Sequence, residues 1–328
     1  MIKLSVIIVN YRGWDPLERC LNSLNCLAGA SFSSEIIVVD NNSDDGQFES
    51  FSKQFPSVRF IENTGNYGFS NGNNLGAENS TGKYILFLNP DTVVSLPALN
   101  SMLEFLENQK EKTIVSCQQE NESGKNENPF GVFPSFKTLT GISRAIYRLF
   151  SPKNQMKTNC VDQSVLYPDW VSGSLILMLR EDFKKLGGWS EDFWMYYEDV
   201  DLCKRVADKG GRIAFLCNTK IMHQHGGLTR KNSNQTAFFK TEVLKSKHIY
   251  VSKHFDGITG CLMQSFLVIN NLIIERLLPA LFGLFLFFIP KMRVQLFVYF
   301  YLLAYYFKSI GHSSWLSGPR SVQFQNIS

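Results

Sequence analysis

The residues best suited to chemistry in this sequence are two carboxylates and an imidazole. The first carboxylate, Asp91, closes the stretch Tyr84–Asp91, in which five apolar residues give way to Asn89 and Pro90. A short, continuous apolar run is typical of a strand buried on both faces, and Pro90 cannot donate to a ladder. Because open α/β sheets bind ligands at the carboxyl ends of their strands, Asp91 is predicted to lie at a ligand site. An ordinary Asn-Pro turn is the alternative.

Four polar clusters each follow an apolar run or open a helix: Asp40–Asp45, Asn89–Asp91, Glu198–Asp201 and His223–His225. Strands that alternate with helices run parallel, so these clusters are predicted to meet at one rim. One carboxylate and one imidazole suffice for a divalent ion that also binds diphosphate oxygens. Asp91 and His223 are the predicted ligands, and a purely structural His223 is one alternative. His225 is the rival ligand, because residues two apart on a strand share a face.

Asp199 is the candidate general base. It opens a predicted helix among the aromatic residues Trp194, Tyr196 and Tyr197. Partial desolvation in such surroundings raises the pKa of a carboxyl group and suits it to proton abstraction. The alternative is a solvated acidic helix start, in which the acids of Glu198–Asp201 only complement the helix dipole.

The stretch Glu62–Gly76 is rich in asparagine and glycine and is predicted to be a loop. Its glycine spacing matches neither a dinucleotide fingerprint nor a P-loop. Glycine lets a backbone approach a ligand closely, and Asn63, Asn73 and Asn74 offer amide donors and acceptors. A ligand-binding loop and a plain surface loop both remain open.

Strand and helix patterns alternate along the chain, which predicts right-handed βαβ units in the α/β class, with a mostly parallel central sheet and helices on both faces. The predicted strands are Leu4–Val9, Glu35–Val39, Val58–Ile61, Tyr84–Leu88, Thr113–Cys117, Leu175–Leu179, Arg212–Leu216 and Lys220–Met222. Predicted helices begin near Asp15, Phe48, Ser95, Glu181, Glu198 and Gln235. Residues 118–168 lack clear periodicity and are interpreted as a variable insertion that shapes one side of the site.

The seven cysteines include no C-x-x-C pair, and several lie in apolar runs. This pattern predicts reduced, buried thiols in a cytosolic protein. The apolar run Val6–Val9 near the N-terminus is too short for a signal peptide and suits a first strand instead.

The C-terminal region, residues 235–328, is predicted to be helical and separate from a catalytic domain at residues 1–234. The net charge is +4, but residues 276–328 hold five basic residues and no acid, so residues 1–275 carry 28 basic against 29 acidic residues, a net of −1. This distribution favours an anionic membrane surface over nucleic acid. The uncharged runs Leu277–Pro290 and Val294–Phe307 are each about 21 Å long as helices, short of a membrane core of about 30 Å. A non-spanning hairpin is predicted, and an apolar helix pair that completes a core or a dimer interface is the alternative.

Several segments, taken together and in order, resemble the family 2 inverting glycosyltransferases with a GT-A fold, and within them the bacterial rhamnosyltransferase branch. The resemblance runs from Leu4 to about Gly227, with a gap at the insertion. The segments that carry it are IVNYRG, VVDNNSDDG, NTGNYGFSNGNNLG, LFLNPDT, GGWSEDFWMYYEDVDLCKR and IMHQHGG.

The resemblance implies a role for each matched residue. Asp91 stands in the metal-binding DxD motif, whose first acid is here Asn89, so that Asp91 carries Mg²⁺ or Mn²⁺ with His223. Asp199 matches the base of the family's ED motif. The residues implied for the donor nucleotide, by this resemblance or from the loop composition, are Asn10, Tyr11, Asp40, Asn42, Asn63, Gly68, Asn73 and Asn89. Those implied to support catalysis or the acceptor are Glu198, Trp194, Tyr197 and Asp201.

The implied reaction is a single in-line displacement on a nucleoside diphosphate sugar, with inversion at the anomeric carbon. A glycan or polyprenyl-linked glycan would be the acceptor, at the cytoplasmic face of the inner membrane. Two other functions remain open from the residues alone. A metal-dependent nucleotidyltransferase would show a glycine- and basic-rich phosphate loop near its N-terminus, where only Arg12-Gly13 stands. A non-catalytic glycan- or lipid-binding scaffold would not need Asp40, Asp91, Asp199 and His223 together.

Overall fold

The computed structural model describes residues 2–127, 129–150, 160, 163–224, 232–316 and 320–323. The strands in this part of the chain are β1 (Leu4–Asn10), β2 (Ser34–Asp40), β3 (Arg59–Glu62), β4 (Tyr84–Leu88), β5 (Thr92–Val93), β6 (Thr113–Glu120), β7 (Asn126–Glu127), β8 (Phe130–Gly131), β9 (Val165–Leu166), β10 (Trp170–Val171), β11 (Leu175–Leu179) and β12 (Arg212–His223).

The helices are α1 (Trp14–Leu24), α2 (Phe48–Gln54), α3 (Gly68–Glu78), α4 (Leu96–Glu107), α5 (Gly141–Phe150), α6 (Arg180–Lys185), α7 (Glu198–Asp208), α8 (Ser233–His254), α9 (Gly257–Ile269), α10 (Leu277–Phe285) and α11 (Pro290–Gly311). A 3₁₀ turn at Asn25–Gly29 follows α1, and a π-helical segment at Asn270–Ile274 follows α9.

The strands form a mixed α/β sheet in the order β3-β2-β1-β4-β11-β6-β12-β5. Strands β1 to β4 are parallel to one another, but β11 runs antiparallel to both β4 and β6. The sequence predicted a mostly parallel sheet, and β11 is a strand that departs from that direction, because an apolar run carries no information about strand direction. As a result Leu175, the first residue of β11, lies opposite Leu88, the last residue of β4.

Strand β4 is buried on both faces, as its apolar sequence predicts. Leu86 and Leu88 pack in a core cluster with α1 and α4, whereas Ile85 and Phe87 pack on the other face against α6 and α7. Alternate residues of a strand point to opposite faces, so a strand with helices on both sides must be apolar throughout. The polar residues that follow Leu88 consequently lie at the rim of the sheet.

The predicted loop at Glu62–Gly76 is in part a helix, since α3 begins at Gly68. Two of its glycines allow the helix to lie directly on β1. A Cβ atom at Gly76 would come within 2.4 Å of Ile7 Cγ2, and one at Gly72 within 2.8 Å of Val9 Cγ1. Close helix–strand packing therefore overrides the low helix propensity of glycine and asparagine.

Two other boundaries differ from prediction. Strand β6 continues to Glu120, so the first residues of the supposed insertion belong to the sheet. The two strands predicted after Gly211 are a single strand, β12, with a register shift between Leu216 and Lys220.

The prediction of uniformly reduced and buried cysteines was also wrong. Cys160 and Cys217 form a disulfide with a Cα–Cα distance of 5.3 Å. Of the remaining cysteines, Cys261 is exposed and Cys26 is half-buried. Cys217 lies on β12 beside β9, and this non-local strand pairing is not visible in the sequence spacing of the two cysteines.

The C-terminal helices pack on α8, which in turn packs on the catalytic half. Ser246 of α8 donates to the Met195 carbonyl at 3.0 Å, and α10 and α11 form the hairpin predicted from the two apolar runs. Within the described residues, one helical stretch, Gly257–Phe285, is long and apolar enough to cross a membrane, by length and composition only. The apolar run predicted from the sequence began only at Leu277, because Glu275 and Arg276 interrupt the longer stretch.

Candidate active site

A cavity of about 850 Å³ lies at the rim where β1, β4 and β12 end. Ten of the residues singled out from the sequence line it: Asn10, Tyr11, Gly68, Asn89, Asp91, Trp194, Tyr197, Glu198, Asp199 and His223. Five others are described but lie outside the lining: Asp40, Asn42, Asn63, Asn73 and Asp201. His225, the rival metal ligand, lies outside the described residues.

Asp91 and His223 lie side by side. His223 Nδ1 is 2.8 Å from Gln119 Oε1, and His223 Nε2 is 3.2 Å from Asp91 Oδ1. The Gln119 amide nitrogen donates to Ser174 Oγ at 2.8 Å, which orients its oxygen toward the imidazole. The amide oxygen of Gln119 and the carboxylate of Asp91 both accept, so the imidazole lies between two acceptors and turns Nε2 toward Asp91.

This pair fits a divalent ion. Two acceptors that face each other at 3.2 Å repel one another unless a proton or a cation lies beside both. Neighbouring ligands of an octahedral Mg²⁺ ion, each about 2.0–2.1 Å from the metal, stand about 2.8–3.0 Å apart, so a small movement of the two side chains would bring them to that separation. Within the described part of the chain there is no cluster of three or more His, Cys, Asp or Glu side chains that could hold an ion. Oxygens of a bound diphosphate or water would have to complete the coordination.

Asp199 is anchored by two backbone amides at the start of α7. Its Oδ2 accepts from the Gly173 N–H at 3.0 Å and its Oδ1 from the Val200 N–H at 2.8 Å. Burial raises the pKa of Asp199 despite these hydrogen bonds, which suits the carboxylate to accept a proton.

The neighbouring acid, Glu198, differs from Asp199 in its surroundings and hydrogen bonding. Burial, and secondarily the charge of Asp199, raise the pKa of Glu198 well above its ordinary value. Its Oε2 atom is buried and makes no hydrogen bond within the described residues. The two carboxyls therefore differ, with Asp199 held by donors that favour its anion and Glu198 favoured in its neutral form.

The segment before α7 is strained and connects the base to the start of α3. Tyr196 and Tyr197 have φ values of 71° and 69°, in the left-handed region that residues other than glycine rarely adopt. The Trp194 carbonyl accepts from the Phe69 N–H at 3.0 Å. A Cβ at Gly68 would lie 2.0 Å from that carbonyl oxygen, so only glycine fits there. Such strain persists where surrounding contacts hold a functional segment.

Asp40 does not face the cavity. Its Oδ1 accepts from Asn10 Nδ2 at 2.9 Å and from Ser43 Oγ at 2.6 Å, and its Oδ2 accepts from the Ser43 N–H at 2.8 Å. Burial raises the pKa of Asp40, and these hydrogen bonds oppose that shift. Its position in the structure is that of a residue that holds Asn10 at the cavity wall.

Other predicted site residues also have partners within the protein. Asn73 Nδ2 donates to the Phe69 carbonyl at 3.0 Å, within α3. Asn63 Nδ2 donates to Asn41 and Asn71, and the Asn42 carbonyl accepts from Gln323 at 3.4 Å. These contacts fix the loops near the Asn10 and Tyr11 side of the cavity.

Asp201 points away from the cavity. It is fully buried and pairs with Arg205 at 2.8 Å and with His254 of α8 at 2.9 Å. Burial acts to raise the pKa of Asp201, but His254 and Arg205 together lower it below its usual value. Residues two apart on a helix are separated by about 200°, so Asp199 and Asp201 could not share a face.

Sequence reasoning missed several residues of the site. Gln119, which orients His223, was assigned to the insertion, and only the polar end of β6 could have indicated it. Arg144 of α5 and Lys247 of α8 line the cavity from distant parts of the chain. Besides Arg144, five residues of the predicted insertion also form part of its wall: Phe130, Gly131, Val132, Pro134 and Thr138.

The C-terminal segment 320–323 contacts residues that line the cavity. Tyr11 Oη donates to Gln323 Oε1 at 3.2 Å, and the Val322 N–H donates to the Asn66 carbonyl at 2.8 Å. Arg320 pairs with Glu242 of α8. Part of the region predicted to associate with a membrane therefore contacts the catalytic half.

Comparison with protein families accounts for this arrangement. The family described as Glycosyl transferase family 2 matches residues 5–167, and the family described as N-terminal domain of galactosyltransferase matches residues 162–226. The chain belongs to glycosyl transferase family 2. The resemblance stated from the sequence is thereby confirmed, and the protein is a glycosyltransferase of glycan or polysaccharide biosynthesis.

Relatives of this family 2 chain share about a quarter of its residues. Rhamnosyltransferase WbbL of Escherichia coli strain K12 is 25% identical over 274 residues, covering 78% of this chain and 97% of the relative. The N-acetylglucosaminyl-diphospho-decaprenol L-rhamnosyltransferase of Mycobacterium tuberculosis is 25% identical over 274 residues, covering 77% and 85%. The low-salt glycan biosynthesis hexosyltransferase Agl10 of Haloferax volcanii is 26% identical over 296 residues, covering 85% and 89%.

Solved structures confirm the GT-A fold of this family 2 chain. TarS 1-349 of S. aureus superposes with a TM-score of 0.50 at 15% identity, covering 84% of this chain and 73% of that one. GalNAc-T7, solved with UDP, GalNAc and Mn²⁺, superposes with a TM-score of 0.51 at 16% identity, covering 75% and 47%.

Proposed function

We propose that this glycosyltransferase moves a rhamnose-like sugar from a nucleoside diphosphate donor to a lipid-linked glycan, with inversion at the anomeric carbon. The observation that carries the proposal is that the Asp91–His223 pair and the Asp199 carboxylate line one cavity. One group suits a diphosphate-bound cation and the other a proton acceptor. The names of the relatives support the sugar and the acceptor class.

In the proposed mechanism, Asp199 accepts the proton of the acceptor hydroxyl as that oxygen attacks the anomeric carbon. The Gly173 and Val200 amides hold the carboxylate in place, and its raised pKa makes it a stronger base than a solvated aspartate. Trp194 and Tyr197 lie beside it in the lining and would contact the acceptor. Glu198, favoured as the neutral acid, adds no second negative charge beside the base.

Asp91 and His223 would hold Mg²⁺ or Mn²⁺, which when bound neutralises the charge of the leaving diphosphate. Asn89 and Asn10 line the cavity with neutral donors and acceptors, and Tyr11 offers an aromatic face, which suit the nucleotide. Gln119 contacts His223 Nδ1 and so turns Nε2 toward Asp91, where the cation would bind.

Donor turnover with and without a divalent cation tests the proposal. A panel of nucleoside diphosphate sugars is incubated with the full-length protein in Mn²⁺ or in EDTA, and released nucleoside diphosphate is measured. We expect slow hydrolysis of a matched deoxyhexose donor that requires the cation. Release of pyrophosphate from a nucleoside triphosphate and a sugar phosphate would instead identify a nucleotidyltransferase, and absence of any turnover would support a scaffold.

We further propose that the C-terminal helices bind the cytoplasmic face of the inner membrane. Large apolar side chains on these helices are exposed to solvent: Ile258, Leu262, Ile273, Leu278, Phe282, Phe285, Phe288, Phe307 and Ile310. An apolar surface of this kind marks an interaction site. Fewer basic residues are expected to attract an anionic membrane surface than the sequence implied. Arg320 pairs with Glu242, and Arg293 donates to Ser233.

Phe285→Glu combined with Phe288→Glu is expected to release the protein from membranes. These side chains are 82% and 75% exposed, so a charge there opposes insertion without disturbing the core. High salt should weaken the wild-type association only in part, since each basic residue near an anionic surface adds on the order of 1 kcal/mol. Membrane fractionation is the measurement, with Ser50→Glu on α2 as the control. A wild-type chain found wholly in the soluble fraction would contradict the proposal.

A further inference from the structure

We infer that Lys247 and Arg144 form a subsite for the diphosphate of the acceptor, and that the acceptor is an isoprenoid diphosphate carrying one or two sugars. The inference rests on the proposed function and specifies the acceptor for the same cavity. Neither residue belongs to the polar clusters from which the site was predicted.

Lys247 is a half-buried cation that faces the cavity from α8. Within the described residues its ammonium group makes no hydrogen bond or salt bridge. Lys245, two residues earlier on the same helix, pairs with Glu242 at 3.0 Å. The pKa of Lys247 is lowered to about 8, chiefly by burial and then by the charge of Arg144, with a smaller lowering by Arg276 that Glu275 opposes. A lysine kept in such surroundings without a protein partner is suited to an anionic ligand.

Two cations line this end of the cavity, and a third acts on one of them. Arg144 of α5 lines the cavity with Lys247, and Arg276, which follows the π-helical segment, acts on Lys247 electrostatically. The one acid among the charged groups acting on Lys247 is Glu275. Within the described residues, the positive charges acting here outnumber the negative ones, which suits an anionic ligand such as a diphosphate.

Arg144 and Lys247 lie at the same end of the cavity as the proposed base, Asp199. Burial raises the pKa of Tyr197 to about 12, and the same side chain is influenced by both Arg144 and Asp199. Tyr197 therefore lies close to the cations and to the base. In a lipid-linked monosaccharide, a single sugar ring separates the attacking hydroxyl from the diphosphate, so both fit one cavity. A long glycan would place its diphosphate far outside.

Exposed apolar side chains flank the cations on both sides. Leu149 and Phe150, at the end of α5, are 80% and 84% exposed and stand about 8–9 Å along the helix from Arg144. On the other side, Arg276 is followed by α10, where Phe282 and Phe285 are 57% and 82% exposed. A hydrocarbon chain attached to a diphosphate at Lys247 would pass directly onto this surface.

Binding of farnesyl diphosphate to the full-length protein tests the inference. The titration is done in EDTA, so that the cation-dependent Asp91–His223 site does not contribute. We expect Lys247→Met and Arg144→Ala each to weaken binding by about 10- to 100-fold, the usual effect of losing a charge-assisted hydrogen bond. The surface control Lys184→Met, which removes the same charge, should bind as the wild type does. Binding should fall above pH 8 as Lys247 loses its proton, and Lys247→Arg should remove that fall.

Three further measurements decide the source of the anion. Inorganic diphosphate should bind more weakly than farnesyl diphosphate, and equal affinity would overturn the lipid-linked assignment. Vesicles of equal parts phosphatidylcholine and phosphatidylglycerol should bind wild type and Lys247→Met alike. If Lys247→Met instead weakened binding to the vesicles as much as binding to farnesyl diphosphate, the residues would form a site for lipid headgroups. Unchanged farnesyl diphosphate affinity in a folded Lys247→Met protein overturns the subsite itself. Failure of the proposed transfer reaction would appear separately, as absent donor turnover with diphosphate binding intact.

Discussion

Asp199→Asn is expected to lower the transfer rate by at least about 10²-fold, the usual contribution of a general base, while donor affinity stays near that of the wild type. The asparagine side chain keeps the size of the aspartate and can still accept one of the two backbone hydrogen bonds from Gly173 and Val200. It cannot take a proton from the acceptor. Steady-state transfer kinetics, with calorimetric titration of the donor nucleotide, measure the two quantities.

Glu198→Gln is the matched control for the Asp199 prediction. Because burial and the charge of Asp199 raise the pKa of Glu198 well above its ordinary value, glutamine resembles the form already present. We expect activity close to the wild type. The reverse pattern, with Glu198→Gln inactive and Asp199→Asn active, would transfer the role of base to Glu198.

The pH dependence of transfer gives a second measurement on Asp199. The base must be ionised to act, and burial raises its pKa above the usual value near 4. The rate should therefore fall on the acid side at a higher pH than for a solvated aspartate. An acid limb near pH 4 would show that the ionisation of another group controls the reaction.

Asp91→Ala is expected to abolish cation-dependent binding of the nucleoside diphosphate. Changes to groups that only orient a metal ligand already cost roughly 10- to 100-fold, so loss of the ligand itself should exceed about 100-fold. Asn89 stands where a second acid could compensate, and an amide provides no charge. Calorimetric titration of nucleoside diphosphate in Mn²⁺ and in EDTA separates the cation-dependent part of the affinity.

Two variants control the Asp91 experiment. Glu49→Ala removes the same charge from the exposed surface of α2 and should leave binding unchanged. His223→Ala should lose part of the cation-dependent affinity, because the carboxylate remains. Equal affinity of Asp91→Ala and wild type in Mn²⁺ would refute the assignment of Asp91 as a metal ligand.

The positions of Asp91 and Asp199 depend on local features of the sequence. Asp91 follows a buried apolar strand, and Asp199 opens a helix, so both positions could be read from neighbouring residues. Asp201 was included wrongly in the cavity side of α7, although helical periodicity alone separates it from Asp199 by about 200°. That error came from treating an acidic cluster as a unit.

By itself, the sequence determined the alternation of strands and helices, the burial of β4, and the rim position of Asp91 and His223. These follow from short-range patterns, since apolar runs, turn residues and strand ends are local properties. Only the tertiary structure decided the antiparallel direction of β11, the helical start at Gly68, and the approach of Gln119, Arg144 and Lys247 to the cavity. Each of these depends on which distant segments pack together, and that information is distributed over the whole chain.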